Sequence, residues 1–188
     1  MSRLLLALVA SMAAISAGPA TPEQTRLLVG IMVDGLDADQ LDLLRERFGQ
    51  GGFKLLEQQG VTLTADYGTS LDATAATATI FTGAAPSTSG IGGDTHFDRR
   101  TLRKSPVYAD HDVLGNFSPS GFSPKALRVS NLSDEARIAS GGTNNVYAVA
   151  AQPGMAISMA GHNATSALWL DHKTGNWASS TAYPDMPV

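Results

Sequence analysis

Two positions in this sequence combine a reactive side chain with surroundings that could put it to use, and the first is Asp34. It ends an apolar, β-branched run, Leu27–Val33, and is followed at once by Gly35. An open α/β sheet places its chemistry at the C-terminal ends of buried strands, and carboxylate oxygens there bind zinc and harder divalent cations. An aspartate can instead cap a following helix. The position therefore predicts either a metal ligand or a structural cap.

The second position is Thr74, in the segment Asp72–Gly83, which is built almost wholly from alanine and threonine. A hydroxyl at a helix N-terminus can act as a nucleophile when a bound metal lowers its pKa, so Thr74 and Thr77 are candidates for catalysis, and Thr74 also for metal contact. Threonines in alanine-rich helices also pack or bond back to the preceding turn, and both interpretations stay open. The predicted helix begins after Asp72 and stops at Gly83.

The four histidines show no paired spacing of the kind that metal sites use. No His-x-x-x-His pair, no Ser-His-Asp order and no phosphate-cradling Gly-x-x-x-x-Gly-Lys run is present in the sequence. We therefore expect the histidines to lie on the surface or in loops, which concerns His96, His111, His162 and His172.

The elements that must position these residues follow from hydrophobic periodicity. Leu27–Val33 and Asn145–Ala150 predict buried strands, and Ala167–Asp171 and Trp177–Thr181 predict a hairpin with a tight turn. Helical spacing is found after Asp37. Helices alternating with buried strands predict an α/β layered fold.

Shorter segments complete the pattern. Val61–Ala65 alternates apolar and polar residues and predicts a further strand, and Asp94–Pro124 predicts long loops with a hairpin. Ser133 is the predicted cap of a helix near the middle of the chain. The predicted helices are Phe53–Gly60, Asn131–Gly142 and Met155–Ala160. Because neither a helix nor a strand follows Thr181, the sheet is predicted to be incomplete at the C-terminus.

Composition restricts the classes of function. The chain has 188 residues, a formal charge of -4 and a hydrophobic fraction of 43%, which predicts one soluble globular domain with a sizeable core. The mildly acidic net charge gives no sign of a basic surface that would bind nucleic acid. The absence of cysteine excludes a disulfide framework and a thiolate metal site.

Residues 1–20 predict export. Arg3 supplies a positive charge, Leu4–Ile15 is apolar, and Ser16–Ala20 consists of small residues, the order found in a secretory signal peptide. The alternative is a buried N-terminal helix. Because the apolar run is too short to span a bilayer comfortably, we expect a periplasmic or secreted protein with no stable membrane span after cleavage. Residues 21–188 are then the folded part.

Four blocks of the sequence carry a family resemblance. Leu27–Leu36, Gly51–Leu56, Thr82–Gly93 and Ala160–Trp177 resemble the alkaline phosphatase superfamily. More narrowly, they are similar to its phosphate-irrepressible alkaline phosphatase branch, which is related to the type I phosphodiesterases and nucleotide pyrophosphatases. The resemblance implies an alkaline-phosphatase-like layered sheet with flanking helices, two bound zinc ions, and a Thr or Ser that attacks the phosphorus of a phosphate ester.

The resemblance also implies roles for single residues. Asp34 matches the family's first metal-binding aspartate, and Thr74 is the hydroxyl nearest to the nucleophile position, where it would be both catalytic and metal-binding. The other metal ligands of the family fall beyond Val188. The chain therefore resembles the N-terminal part of a longer enzyme, and alone it is not expected to build the two-zinc site or to be active.

Four positions depart from the family pattern. Its nucleophile usually stands nine residues before a Thr-Gly pair, which here is Ala73, and Thr74 is one residue away, about 100° around a helix. The phosphate-binding Asn falls at Asp94, and the Lys and Arg that some members use fall near Gln152 and Gly154. Losing such donors weakens stabilisation of a phosphoryl-transfer transition state.

Three hypotheses follow. The first is an exported, metal-dependent phosphohydrolase that acts on a phosphate mono- or diester, with a phosphorylated small molecule as substrate. The second is a superfamily member whose altered site makes it a non-catalytic binding protein. The third is a secreted α/β domain whose resemblance is architectural only.

Overall fold

A computed structural model describes residues 26–184, so the predicted signal peptide lies outside the described residues. The chain divides after Met32 into two units. The predicted strand Leu27–Val33 is wrong here, because these residues form no hydrogen-bonded strand and Leu27 and Ile31 are 78% and 79% exposed. An apolar run predicts burial, but a strand also needs a neighbour for its N–H and C=O groups, and the run itself does not specify one.

The helices begin and end at residues suited to those positions. Asp72 caps the helix Ala73–Thr82 (α3) by accepting a hydrogen bond from the Ala75 N–H at 3.0 Å, and Gly83 ends it in a left-handed conformation, as predicted. Asn131, rather than the predicted Ser133, caps the helix Leu132–Ala139 (α5) through a reciprocal capping box. The helices are α1 (Ala38–Leu44), α2 (Phe53–Gln59), α3 (Ala73–Thr82), α4 (Pro86–Ser89), α5 (Leu132–Ala139) and α6 (Pro153–Ala160), with 3-10 turns at Arg45–Arg47 and Pro124–Ala126.

The strands form a hairpin and a four-stranded sheet. The hairpin pairs β1 (Thr95–Asp98) with β2 (Arg103–Pro106), and the sheet has the order β3-β6-β5-β4. Its strands are β3 (Gly115–Asn116), β4 (Tyr147–Ala150), β5 (Ser166–Leu170) and β6 (Trp177–Ser180). β4 and β5 are parallel and are joined through α6, whereas β5 and β6 make the predicted antiparallel hairpin. The mixed α/β class is confirmed.

A second predicted strand, Val61–Ala65, is also missing from this arrangement. Residues 61–65 are irregular, with Val61 and Leu63 84% and 85% exposed. Alternation of apolar and polar residues predicts a half-buried strand only where a sheet edge is present to receive it.

The core lies where α3 and α6 pack together beneath the sheet. Ala75, Ala78, Ala156 and Ile157 are fully buried, and the small side chains of both helices allow the backbones to approach closely. Trp169 on β5 fills the core beside the helices and meets Phe122 edge-on, with ring centroids 5.7 Å apart. The N-terminal turns of α3 and α6 are thereby held side by side. Among residues 26–184, no helix has the length and apolar character that crossing a bilayer demands.

A buried tyrosine in this core makes stability depend on alkaline pH. Tyr108 is 2% exposed, its hydroxyl lies 2.9 Å from the Ser158 hydroxyl, and burial raises the pKa of Tyr108 from 10.0 to about 12. The folded state therefore holds this proton more tightly than the unfolded state. The resulting stabilisation is complete below pH 10 and is lost as the pH rises towards 12.

We expect Tyr108 alone to contribute about 2–3 kcal/mol to the fall in the free energy of unfolding between pH 10 and pH 12. Urea denaturation across this range measures the fall, and a Tyr108→Phe variant should show a shallower one. The pKa of Tyr183 is also raised by burial, so part of the slope persists in that variant. An identical slope in the variant and the parent protein would contradict the assignment to Tyr108.

Candidate active site

The residues that the resemblance aligns with catalytic positions lie around one cavity. Thr74, Asp94, Gln152 and Gly154 all line a cavity of about 280 Å³, although they come from three separate stretches of the sequence. His172, in the turn between β5 and β6, also reaches it. The other lining residues are Thr95, Pro106, Val107, Tyr108, Phe122 and Pro153. The fold thus brings together, around one cavity, positions that the family resemblance had identified only along the sequence.

Thr74 is the second residue of α3 and is 1% exposed. Its hydroxyl makes no hydrogen bond with any residue of the described range, 26–184. Thr77 in the same helix behaves differently, because its hydroxyl donates back to the Ala73 carbonyl at 2.7 Å. The packing interpretation therefore suits Thr77, whereas the Thr74 hydroxyl faces the cavity with its donor and its lone pairs uncommitted.

The first turn of α6 forms the cavity wall against Thr74. A Cβ atom added to Gly154 would overlap Thr74 Oγ1 and would lie 3.0 Å from Thr74 Cγ2, so the two helices touch at this point. Gln152 provides no side-chain cap, Pro153 has no N–H, and the N–H groups of Gly154 and Met155 have no partner in the described part of the chain. Unpaired N–H groups at a helix N-terminus attract anions.

Asp94 is fixed on the opposite side by its backbone. Its N–H donates to Asp72 Oδ2 at 2.6 Å, and its carbonyl accepts from the Val107 N–H at 2.9 Å. Asp72 thus caps α3 and holds the Asp94 loop with the same carboxylate. Among the described residues that line the cavity, Asp94 is the one carboxylate and none is a lysine or arginine.

Asp34 lies elsewhere in the larger unit. It is exposed in a turn with Gly35, does not line the cavity, and does not cap α1. The cap of α1 is Asp37, which accepts from the Asp39 N–H at 3.1 Å, so the capping interpretation of Asp34 is wrong. Its metal-binding role stays a prediction.

The two zinc ions implied by the resemblance do not fit the residues described. Within the range 26–184, His, Asp and Glu side chains form no group of three or more that could hold a metal ion. Zinc sites need three or four such ligands. Asp34 and Thr74 by themselves do not make a metal centre.

A larger cavity of about 380 Å³ shares Val107 and Tyr108 with the first, but its lysine and two of its carboxylates are already paired with each other or with Ser123. Lys125 Nζ lies 2.7 Å from Asp112, and the Ser123 hydroxyl donates to Asp110 at 2.6 Å. That hydrogen bond is the main reason why the pKa of Asp110 is lowered. Among the described residues of this lining, the one lysine is therefore already committed to a carboxylate.

Two histidines have surroundings that the sequence did not reveal. His172 lines the cavity beside Thr74, and its only sequence signal is its place in a hairpin turn. His162 bonds through Nδ1 to Asp134 at 2.8 Å and through Nε2 to the Leu127 carbonyl at 3.0 Å. It is an exposed loop residue, as expected, but it also connects two segments whose partners only the folded chain brings together.

Comparison with known proteins decides the family. Residues 28–187 match the family model of type I phosphodiesterase / nucleotide pyrophosphatase. The chain belongs to this family. The predicted membership of the alkaline phosphatase superfamily is thereby confirmed.

Two individual relatives of this chain, both alkaline phosphatases, agree with the family assignment. The chain is 34% identical over 171 residues to alkaline phosphatase PhoV of Synechococcus elongatus, and 33% identical over 165 residues to alkaline phosphatase PafA of Elizabethkingia meningoseptica. These matches cover 88% and 84% of this chain but only 31% and 30% of the relatives. The chain thus spans about a third of their length.

Solved structures confirm the fold. A crystal structure of a PafA variant with four substitutions matches with a TM-score of 0.73 and 29% identity, and covers 82% of this chain and 31% of that one. Wild-type PafA matches with a TM-score of 0.70 and 28% identity over 79% of this chain and 30% of that one. The layered α/β arrangement predicted from the sequence is therefore that of an alkaline phosphatase.

Proposed function

We propose that this chain carries the nucleophile-bearing part of an exported phosphoester hydrolase that acts on phosphorylated small molecules. In the proposed reaction Thr74 Oγ1 forms a bond to phosphorus while the bond from phosphorus to the ester oxygen breaks. The threonine proton ends on the departing alcohol, and water then cleaves the phosphothreonine and restores the hydroxyl. The observation that carries the proposal is the contact of the uncommitted Thr74 hydroxyl with the first turn of α6.

The free N–H groups of α6 supply the electrostatic part of this proposal. A phosphoryl group attacked by Thr74 would place an oxygen beside Gly154 and Met155, whose N–H groups point out of the helix end. Fixed donors of this kind stabilise the charge that develops in a phosphoryl-transfer transition state. They substitute in part for the Lys and Arg that are absent at 152 and 154.

Zinc dependence is proposed only for a protein that supplies ligands beyond those in residues 26–184. Asp34 would be one ligand of such a site and Thr74 would contact the metal, as the resemblance implies. A bound zinc ion would lower the pKa of the hydroxyl and polarise the phosphoryl oxygens. Export is likewise proposed from residues 1–20, and separation of periplasmic and cytoplasmic fractions tests it.

The charge of the cavity favours a phosphodiester over a monoester. A diester carries one negative charge and a monoester close to two at neutral pH, and both must approach Asp94 without a lysine or arginine in the lining. We expect Asp94→Asn to raise the kcat/KM for a monoester relative to that for a diester by about tenfold. The substitution removes the repulsion between the Asp94 carboxylate and the extra negative charge that the monoester carries. Steady-state kinetics with matched aryl mono- and diesters measures this ratio.

A control variant and a comparison with and without zinc accompany these kinetics. Thr95→Ala, a change at an uncharged lining residue next in the chain, is the control and should leave the ratio within about twofold. The native-length protein is assayed with and without added zinc. An absence of turnover above the metal blank for both esters would refute hydrolysis.

The second candidate function is non-catalytic binding of a phosphate ester. It is favoured by Asp94, Gln152 and Gly154. By the family resemblance, these residues stand where the phosphate-irrepressible alkaline phosphatase branch has a phosphate-binding Asn and, in some members, a Lys and an Arg. Calorimetry with an aryl phosphodiester separates the two candidates. Heat of binding without release of alcohol supports a binding protein, whereas alcohol release supports the enzyme.

A further inference from the structure

We infer that Gly154 is a positioning residue, whose missing side chain is what allows the Thr74 hydroxyl to lie on the anion-attracting end of α6. The inference rests on the proposed role of Thr74. Gly154 is not a turn residue in this structure, since it lies in the first turn of α6 without a positive φ. Its identity therefore needs an explanation other than backbone conformation.

Space provides that explanation. The three heavy atoms closest to a Cβ built on Gly154 are Oγ1, Cγ2 and Cβ of Thr74, at distances that rise to 3.3 Å for the last. The overlap falls on all the side-chain atoms of Thr74 beyond Cα, so a Cβ at 154 would force this 1% exposed residue to shift from its position against α6. Any side chain at 154, an arginine included, would push Thr74 off the helix end. Glycine at 154 therefore has two effects at once: it leaves this side of the cavity without a cation, and it makes room for the Thr74 side chain.

The steric part of the inference is tested by a double-mutant cycle on stability. We expect Gly154→Ala to lower the Tm by about 4 °C or more in the parent protein. Combined with Thr74→Ala, which deletes Oγ1 and Cγ2 and leaves the 3.3 Å Cβ contact, the same change should lower the Tm clearly less, because the two shortest overlaps are gone and alanine is the better helix residue. Gly92→Ala is the control, since a Cβ there meets nothing within 4 Å. An equal loss in both backgrounds would overturn the inference.

The positioning part is tested by a thiol, because the sequence contains no cysteine. Thr74→Cys places a single thiol against α6, and a helix N-terminus lowers a thiol pKa below its usual value of about 8.5. We expect the alkylation rate with iodoacetamide to reach half its maximum below pH 8.5. Adding Gly154→Ala should move that midpoint upward, and adding Gly92→Ala should not.

The two measurements separate this inference from the proposed function. An unchanged alkylation midpoint after Gly154→Ala would refute positioning, whatever the protein does to esters. A shifted midpoint in a protein that hydrolyses neither ester would support the positioning by Gly154 and refute hydrolysis. Should the thiol variant with Gly154→Ala fail to fold, the stability cycle with Thr74→Ala decides.

Discussion

Replacing Thr74 by alanine is expected to lower kcat for phosphodiester hydrolysis by at least about a thousandfold, with little change in stability. The hydroxyl is the proposed nucleophile and forms no hydrogen bond within residues 26–184, so its removal breaks no internal hydrogen bond there. Loss of a nucleophile removes the covalent step altogether, whereas loss of a packing group would leave most of the rate. Stopped-flow or steady-state release of the alcohol measures kcat, and urea denaturation measures stability.

Thr79→Ala is the matched control for this experiment. Thr79 lies on the same helix, and its hydroxyl is buried without a partner in the described part of the chain. The same atoms are therefore deleted from the same element, and we expect kcat to change by no more than about twofold. Equal activities for Thr74→Ala and the parent protein would remove Thr74 from the mechanism and leave the family assignment standing.

The second large effect is expected from Asp134→Ala, which should lower the free energy of unfolding by about 3–5 kcal/mol. Asp134 is 2% exposed and accepts four hydrogen bonds between 2.8 and 3.2 Å. The donors are the Asn131 N–H, the His162 N–H and Nδ1, and the Asn163 N–H. Alanine would leave these donors buried or half-buried without an acceptor.

This cluster matters for the site because it ties α5 to the far end of α6. The Asn131 side chain donates to the Ser158 and Met159 carbonyls at 2.8 and 3.1 Å, in the last turn of α6. Loosening that turn would also loosen the helix whose first turn faces Thr74. Glu135→Ala, an exposed change on α5 that removes one hydrogen bond from the Ser130 hydroxyl, is the control and should cost no more than about 1 kcal/mol. A loss below about 1 kcal/mol for Asp134→Ala would show that the cluster is not a structural tie.

Sequence patterns predicted well those elements whose signals are local. The cap at Asp72, the stop at Gly83 and the hairpin formed by β5 and β6 each depend on residues within a few positions, and the structure has them all. Asn131 displaced the predicted cap Ser133, because both residue types suit the position and only the geometry chooses between them.

Long-range features could not be predicted in the same way. Leu27–Val33 and Val61–Ala65 have strand composition, but strands form only where another strand offers hydrogen bonds. The partnership of Asp134 with His162 spans 28 positions and leaves no spacing signal. The contact between Thr74 and Gly154 depends on how closely α3 and α6 pack, which the small residues of both helices permit without specifying it.

Attack of Thr74 on phosphorus would leave a phosphoryl ester on that residue, and trapping this covalent intermediate is the decisive test. The native-length protein is mixed with an aryl phosphodiester, quenched in acid within the first turnover, digested and analysed by mass spectrometry. The peptide that contains Thr74 is predicted to gain the mass of one phosphoryl ester on that residue, and Thr74→Ala should gain none. Continued turnover with the ester on another residue, or with the Thr74 peptide unmodified at every quench time, would contradict the claim.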